Sequence, residues 1–428
     1  MSFKHFLILS TLTIFAANVS AQEKKPFRQL DVFDILRSKK KRAEHSKDTL
    51  TLKPYKLYIS AFPILGYNPA LGIVVGATFN PAIFFGSPAN TPISAFAVNA
   101  QVTTQSQILA SIRATIFTNK AKFILRGDWR LYIYYQPTYG LGSDIVGIDT
   151  AQWINPSGES GTTESNVAEP MRFNYVRLYQ TLNRRIIGKF YIGGGYYLDY
   201  YWNIKDTKLN FDSGKVYFTQ HYRYSKDNGF NPSTYCTSGL LFSLLYDSRN
   251  SCLRPTRGIY ALMVPRFNFT WLGSTRNSFT LYTEFRTYLS LSKRNPAHLI
   301  AFWYAGSFLL TGHVPYLDLP AIGWDTYGRT GRGYIQGRIR GVDYLYGEAE
   351  YRFPISQNTG VLGGVVFVNA STCNNADRSV KLFRYIAPGF GVGLRVMLNK
   401  KSLSNLTIDM GFGLNGSKGL FLNINETF

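Results

Sequence analysis

Charge is scarce in this 428-residue chain: Asp, Glu, Lys and Arg make up 17% of it, against roughly 25% in an average soluble protein. Disorder needs high charge and few aromatics, so it is excluded. Long apolar runs are also missing. No stretch reaches the roughly 18 to 20 uninterrupted apolar residues of a spanning helix, which argues against a polytopic helical membrane protein. Cysteine is limited to Cys236, Cys252 and Cys373. An odd number at wide spacing is not a disulfide framework. Cys236 and Cys252 fall near opposite ends of one predicted strand. At about 3.3 Å per residue they lie beyond disulfide reach. The histidines are His5, His45, His221, His298 and His313, and no pair has metal-ligand spacing. No nucleophile, base and orienting group come together in the sequence. Asp318 and Asp325 read as solvated acids of a long loop. The chain is therefore expected to be no enzyme and to use no cofactor or metal.

Aromatic residues are plentiful, with 31 Phe, 30 Tyr and 6 Trp, and there are 38 glycines. Mean hydropathy is close to zero, at −0.10. This combination suits a transmembrane β-barrel, whose spans alternate apolar and polar residues and so average out. Basic residues exceed acidic ones, giving a formal net charge of +22. They are scattered rather than clustered on one helix, and an exported chain rarely meets nucleic acid. A lumen or rim facing anionic lipid headgroups explains the excess, and no nucleic-acid partner is expected.

The N-terminus reads as a secretory signal over residues 1–21. Lys4 and His5 form the n-region, Phe6 to Ala17 the apolar h-region, and Val19-Ser20-Ala21 the cleavage site. Residues 22–52 are polar and basic, with Lys39-Lys40-Lys41-Arg42. Phe27, Leu30, Phe33 and Leu36 recur there at helical spacing, which predicts a short amphipathic helix at the inner membrane surface or inside a barrel mouth. Residues 53–428 are expected to be the barrel.

Period-2 alternation runs through that region. In 406–414, Leu406, Ile408, Met410, Phe412 and Leu414 share one face, and Thr407, Asp409, Gly411 and Gly413 the other. In 279–291, Phe279, Leu281, Phe285, Leu289 and Leu291 oppose Tyr282, Glu284, Arg286, Tyr288 and Ser290. Sixteen such segments are expected, near 56–66, 69–85, 93–104, 107–118, 122–136, 172–184, 188–203, 235–247, 258–272, 277–291, 298–312, 344–355, 361–372, 385–398, 403–414 and 418–428. The four longest gaps, 137–171, 204–234, 313–343 and 373–384, all join an odd-numbered segment to an even one. Barrels of bacterial outer membranes have long outer loops and short periplasmic turns. Both termini are therefore expected in the periplasm. The fold class expected is all-β, a sixteen-stranded antiparallel transmembrane barrel, in which closure removes the edge strands and satisfies every backbone group in lipid. The last segment alternates Leu420, Leu422 and Ile424 with polar residues and ends on Phe428. This looks like the assembly signal of outer-membrane barrels.

Several motifs then line up in order. Thr330-Gly331-Arg332-Gly333-Tyr334 lies in the gap 313–343 and is followed by Gly347-Glu348-Ala349-Glu350-Tyr351-Arg352-Phe353-Pro354-Ile355. Ala61-Phe62-Pro63 with Tyr67 to Gly72, Tyr246 to Asn250 with Asp247 and Arg249, Pro255 to Gly258, Glu284 to Tyr288 with Arg286, Gly391 to Arg395, and Ile408-Asp409 complete the set. The ordered set resembles the BamA/TamA-type outer-membrane assembly factors, the bacterial surface antigen family. The resemblance implies a sixth outer loop whose Arg-Gly-aromatic tip folds back into the lumen. It also implies a working seam between the first and last strands, near 56–66 and 418–428. Two departures stand out. Residues 22–52 are too few for the family's periplasmic polypeptide-transport-associated (POTRA) domains, and Asn369 stands where the family usually has an Asp that helps to hold the loop arginine.

Arg332 is the leading site candidate. A guanidinium inside a barrel wall must be paired, and its planar fork suits a carboxylate. Alternation turns Glu348, Glu350 and Arg352 to the lumen. Arg332 is expected to reach Glu350, with Asn369 as a neutral second partner, while Gly331 and Gly333 let the tip approach the wall. The function implied is assistance in inserting or translocating outer-membrane proteins or lipids. In that role the chain would be an accessory to a POTRA-bearing machine or periplasmic lipoproteins, with client outer-membrane proteins and outer-membrane lipids as partners. The rival reading is a passive, porin-like channel.

Overall fold

The computed structural model describes residues 30–36, 53–68, 72–212, 214–293, 295–375, 379–400 and 404–428. The expected signal segment 1–21 and most of 22–52 lie outside these residues. In chain order the strands are β1 (Leu57–Asn68), β2 (Gly72–Ile83), β3 (Ser94–Thr103), β4 (Ile108–Phe117), β5 (Phe123–Thr138), β6 (Asp149–Ile154), β7 (Ser160–Ser165), β8 (Glu169–Ile187) and β9 (Phe190–Asp206). They continue with β10 (Tyr235–Asp247), β11 (Gly258–Asn268), β12 (Ser278–Ser290), β13 (Leu299–Gly312), β14 (Tyr344–Pro354), β15 (Leu362–Cys373), β16 (Ala387–Asn399), β17 (Ser404–Gly413) and β18 (Lys418–Ile424). All but β6 and β7 join one antiparallel 16-stranded sheet in which each strand pairs with the next. This is the sixteen-stranded transmembrane barrel expected from the alternation. The sheet order begins at β1 and ends at β18.

The strand faces follow the period-2 pattern. On β14, Glu348, Glu350 and Arg352 are buried, while Tyr351 between them is exposed. On β17, Thr407 and Asp409 are fully buried. On β12, Glu284, Arg286 and Tyr288 point inward, while Phe285 and Leu289 face out. Exposed Leu, Ile, Val and Phe side chains therefore clothe the exterior, and the charge sits inside. That is the inverse of a soluble protein and the arrangement a lipid environment requires.

Three features were not expected. The loop 137–171 carries the hairpin β6–β7, a two-stranded sheet of its own. The loop 204–234 carries a helix, Gln220–Asp227, whose N-cap Thr219 accepts from the Tyr222 amide at 3.3 Å. The last strand stops at Ile424 rather than continuing to Phe428. Asn425 takes φ 71° and its amide donates to the Asn405 carbonyl at 2.7 Å. The terminal residues turn into the lumen as a result.

A single helical turn, Val32–Leu36, precedes the barrel. Asp31 and Asp34 each accept from the other's amide, at 2.9 and 3.2 Å, in the reciprocal manner of a capping box. The turn is held at one rim by Leu30 N to Thr359 O, 2.8 Å, and by Lys400 Nζ to Asp34 Oδ2, 2.7 Å. The three cysteines are free thiols.

Candidate lumen site beneath the inward loop

The connection between β13 and β14 enters the barrel. Its tip is shaped by two glycines in the left-handed region, Gly331 at φ 76° and Gly333 at φ 118°. A side chain at Gly333 would meet the Phe412 carbonyl oxygen at 2.7 Å, so the tip lies against the β17 backbone. Glycine on the wall is equally necessary. A Cβ at Gly411 would come within 2.6 Å of the Gly333 nitrogen.

This close approach delivers Arg332 to three carboxylates. Its Nη1 donates to Asp409 Oδ2 at 2.7 Å, its Nη2 to Glu348 Oε1 at 2.6 Å, and Nη2 also to Glu350 Oε1. The guanidinium lies over the Phe367 ring, 3.6 Å from its centre, a cation–π contact. Arg332 is 2% exposed, so its charge depends on these partners rather than on water. Asn369 is a partner of Arg332, but of its main chain rather than its guanidinium. Its Nδ2 donates to the Arg332 backbone carbonyl at 3.0 Å and so fixes the main chain of the tip. Tyr334 is anchored separately. Its hydroxyl donates to the Pro388 carbonyl at 2.5 Å and accepts from the Leu414 amide at 3.0 Å.

The carboxylates are themselves held. Arg395 Nη1 donates to Asp409 Oδ1 at 2.5 Å and its Nε to Glu426 Oε2 at 2.8 Å. Arg352 Nε donates to Glu350 Oε2 at 2.6 Å. Tyr346 donates its hydroxyl proton to Glu348 Oε2 at 2.5 Å. Arg332, Glu350, Asp409 and Arg395 are legible from the motifs and Glu348 from the alternation, whereas the pairing of Glu348 with Arg332 is not. Glu426 and Arg352 went unnoticed as members of the same network.

The chain terminus completes the site. Phe428 is 3% exposed and packs on Trp303 at 5.2 Å and Tyr288 at 6.2 Å between ring centres. The Arg352 guanidinium lies 5.2 Å from the centre of its ring, and Arg352 Nη2 donates to the Phe428 carbonyl at 3.1 Å. Arg329, three residues before the loop arginine, donates to the Ile424 carbonyl at 2.7 Å and to the Glu426 carbonyl. The inward loop and the tail that follows the last strand are thus joined.

The remaining motif residues form a second lumen patch around Tyr260. Arg249 pairs with Asp247 through Nε at 3.0 Å and Nη2 at 2.9 Å, and its guanidinium lies 4.3 Å from the Tyr260 ring centre. Gly258, at φ 106°, lets that turn close, since a Cβ would meet the Ser248 carbonyl oxygen at 2.5 Å. Glu284 accepts from Arg286 Nε and from Trp303 Nε1, each at 2.8 Å.

The loop acids also differ from expectation. Asp325 is a turn former, accepting from the Arg329 and Thr330 amides at 2.8 Å each. Asp318 accepts from Thr237 Oγ1 on β10, and burial together with neighbouring Asp199 pushes its carboxyl up to about 8. His221 is buried, with Nδ1 2.9 Å from Asp206 Oδ2. It serves to seat the loop helix, and its Nε2 lies 3.3 Å from the Tyr235 hydroxyl.

Residues 190–419 match the family model described as the Omp85 superfamily domain. Among solved structures, the chain is similar to BamA from Haemophilus ducreyi lacking POTRA domains 1–3. That match has 14% identity and a TM-score of 0.51, covering 87% of this chain and 70% of that one. It is also similar to CdiB from Acinetobacter baumannii at 13% identity and a TM-score of 0.46, covering 90% of this chain and 66% of that one. No curated protein matches.

Proposed function

This chain belongs to the Omp85 superfamily, and from that premise we propose that it is an insertion or translocation barrel of a Gram-negative outer membrane. In this reading residues 53–428 form the barrel, residues 22–52 are a basic periplasmic segment, and both termini are periplasmic. The protein assists assembly or translocation of outer-membrane proteins or lipids as an accessory. Its partners are outer-membrane lipids, client outer-membrane proteins, and a POTRA-bearing machine or periplasmic lipoproteins. It performs no catalysis and needs no cofactor.

The observation that carries this reading is at the ends of the sheet. β1 has twelve residues and β18 only seven, and the chain beyond Ile424 is drawn inward by Arg329 and Arg352. β1 and β18 are the two ends of the sheet order, and strands of such unequal length cannot satisfy all of each other's main-chain groups, which are costly to leave open in lipid. A seam of this kind opens more readily than the other strand pairs. The inward loop argues against the passive channel, because Arg332 and Tyr334 tie it to the β14–β17 wall while Thr326 and Gln336 reach Arg130 and Tyr134 on β5.

The test is depletion of the protein in its own host, with every other outer-membrane barrel quantified by mass spectrometry. A broad fall in barrels, with periplasmic stress, is the expected result. An unchanged barrel proteome refutes general assembly. A large, stable conductance of the purified protein in planar bilayers would favour the porin-like channel.

A further inference from the structure

The lumen keeps a cavity of about 1010 Å³ beside the docked loop. At one side it is lined by Leu65 of β1 and Leu422 of β18. These two side chains are 77% and 56% exposed and lie on the exterior of the barrel. The cavity therefore runs out between the first and last strands, to the surface that faces acyl chains.

Inside, eight arginines line the cavity against five carboxylates, so positive charge is in excess. Three of the arginines are poorly compensated. Arg126 forms no ion pair among the described residues. Its Nη1 donates to the Tyr260 hydroxyl at 2.6 Å, and its guanidinium lies over the same ring. Arg113 approaches Asp128 only to 3.7 Å and shares it with Arg130 and Arg177. Arg329 binds main-chain carbonyls, and its Nε is buried without a hydrogen-bond partner. Burial, reinforced by the nearby Arg113 and Arg286, pushes the Arg329 guanidinium down to about 10, although Tyr327 and Asp325 act in its favour.

Uncompensated charge of one sign crowded around one cavity is unfavourable, and an anion relieves it. The guanidinium fork matches two oxygens of a phosphate. We propose that this cavity binds the phosphate headgroup of a membrane lipid. Arg113 and Arg126 hold the phosphate, with Arg329, whose Nη groups stay on the tail carbonyls, adding positive charge nearby, and the acyl chains leave between β1 and β18 past Leu65 and Leu422. The cavity borders the Arg332 network at Arg329 and Glu426, and the acyl-chain exit rests on the β1–β18 seam of the proposed function, whereas phosphate binding is tested separately from barrel assembly.

Native mass spectrometry of the purified full-length chain tests this. The probes are phosphatidylglycerol, diacylglycerol with the same acyl chains, and free glycerol phosphate. One phosphatidylglycerol should be retained, with diacylglycerol excluded. Arg113→Gln with Arg126→Gln should weaken retention about tenfold or more, since charge-assisted hydrogen bonds are lost. Heat-modifiable migration checks that the double variant is folded. If it is not, Arg126→Gln alone, which removes only a contact to Tyr260, serves in its place, and Arg126→Lys should restore part of the binding. Equal phosphatidylglycerol retention by wild type and a folded variant overturns the proposal. So does equal binding of diacylglycerol, or displacement of the lipid by an equal concentration of glycerol phosphate, which would make the ligand a soluble phosphate.

Discussion

Replacing Arg332 with alanine removes the one cation that Glu348, Glu350 and Asp409 share. The three carboxylates are not left equally exposed to the loss. Asp409 keeps Arg395 at 2.5 Å and Glu350 keeps Arg352 at 2.5 Å. Glu348 keeps only the Tyr346 hydroxyl. The variant therefore strands one buried carboxylate, and breaking a buried pair in this way costs about 3–5 kcal/mol. If that is the origin of the loss, neutralising the stranded group should recover part of it. Arg332→Ala with Glu348→Gln should be more stable than Arg332→Ala alone by about 1–3 kcal/mol, the range of coupling between groups in contact. Urea unfolding in lipid vesicles, read by heat-modifiable electrophoresis, measures all four corners of the cycle. Additive effects of the two substitutions, or an Arg332→Ala variant within about 0.5 kcal/mol of wild type, would refute the reasoning.

Gly411→Val should push the Arg-Gly-Tyr tip off the wall, because a Cβ there would meet the Gly333 nitrogen at 2.6 Å. The expected loss is about 1–3 kcal/mol, with new protease cleavage in the loop while the barrel still assembles. Phe428→Ala should cost about 3–5 kcal/mol, as for other buried aromatics, and should alter the near-ultraviolet circular dichroism of Trp303. An unchanged spectrum would mean that the tail does not occupy the lumen. Asp318 makes stability depend on pH. Its folded carboxyl is raised to about 8 from an ordinary 3.8, so the folded state keeps a proton that the unfolded chain has lost. Stability should fall as pH rises through that window, and Asp318→Asn should flatten the profile of urea midpoints. A variant with the same slope as wild type would show that Asp318 is not the titrating group.

The strands were legible because their signal is local. Each of the sixteen expected segments corresponds to a strand of the sheet, and Glu348, Glu350, Asp409 and Arg286 sit on the inner face that alternation assigns them. Pleating alone puts successive side chains on opposite faces, so neighbours along the chain suffice to tell inside from outside. What alternation cannot tell is which inward groups meet across the lumen. Asn369 and Glu348 are both inward, yet the asparagine took the Arg332 carbonyl and the glutamate took the guanidinium. That choice depends on the path of a loop bent at Gly331 and Gly333. The hairpin β6–β7 and the helix Gln220–Asp227 were missed because short elements inside long loops are stabilised by what they pack on. The end of the chain shows the division most clearly. Leu420, Leu422 and Ile424 determine by themselves a strand with an apolar outer face as far as Ile424, and the same alternation points, wrongly, to a strand that runs on to Phe428. Only the tertiary structure decided that Asn425 turns the chain and that Phe428 lies on Trp303 under Arg352. The groups that hold it, on β13, β14 and the inward loop, are distant in sequence and meet only once the sheet has curled around them.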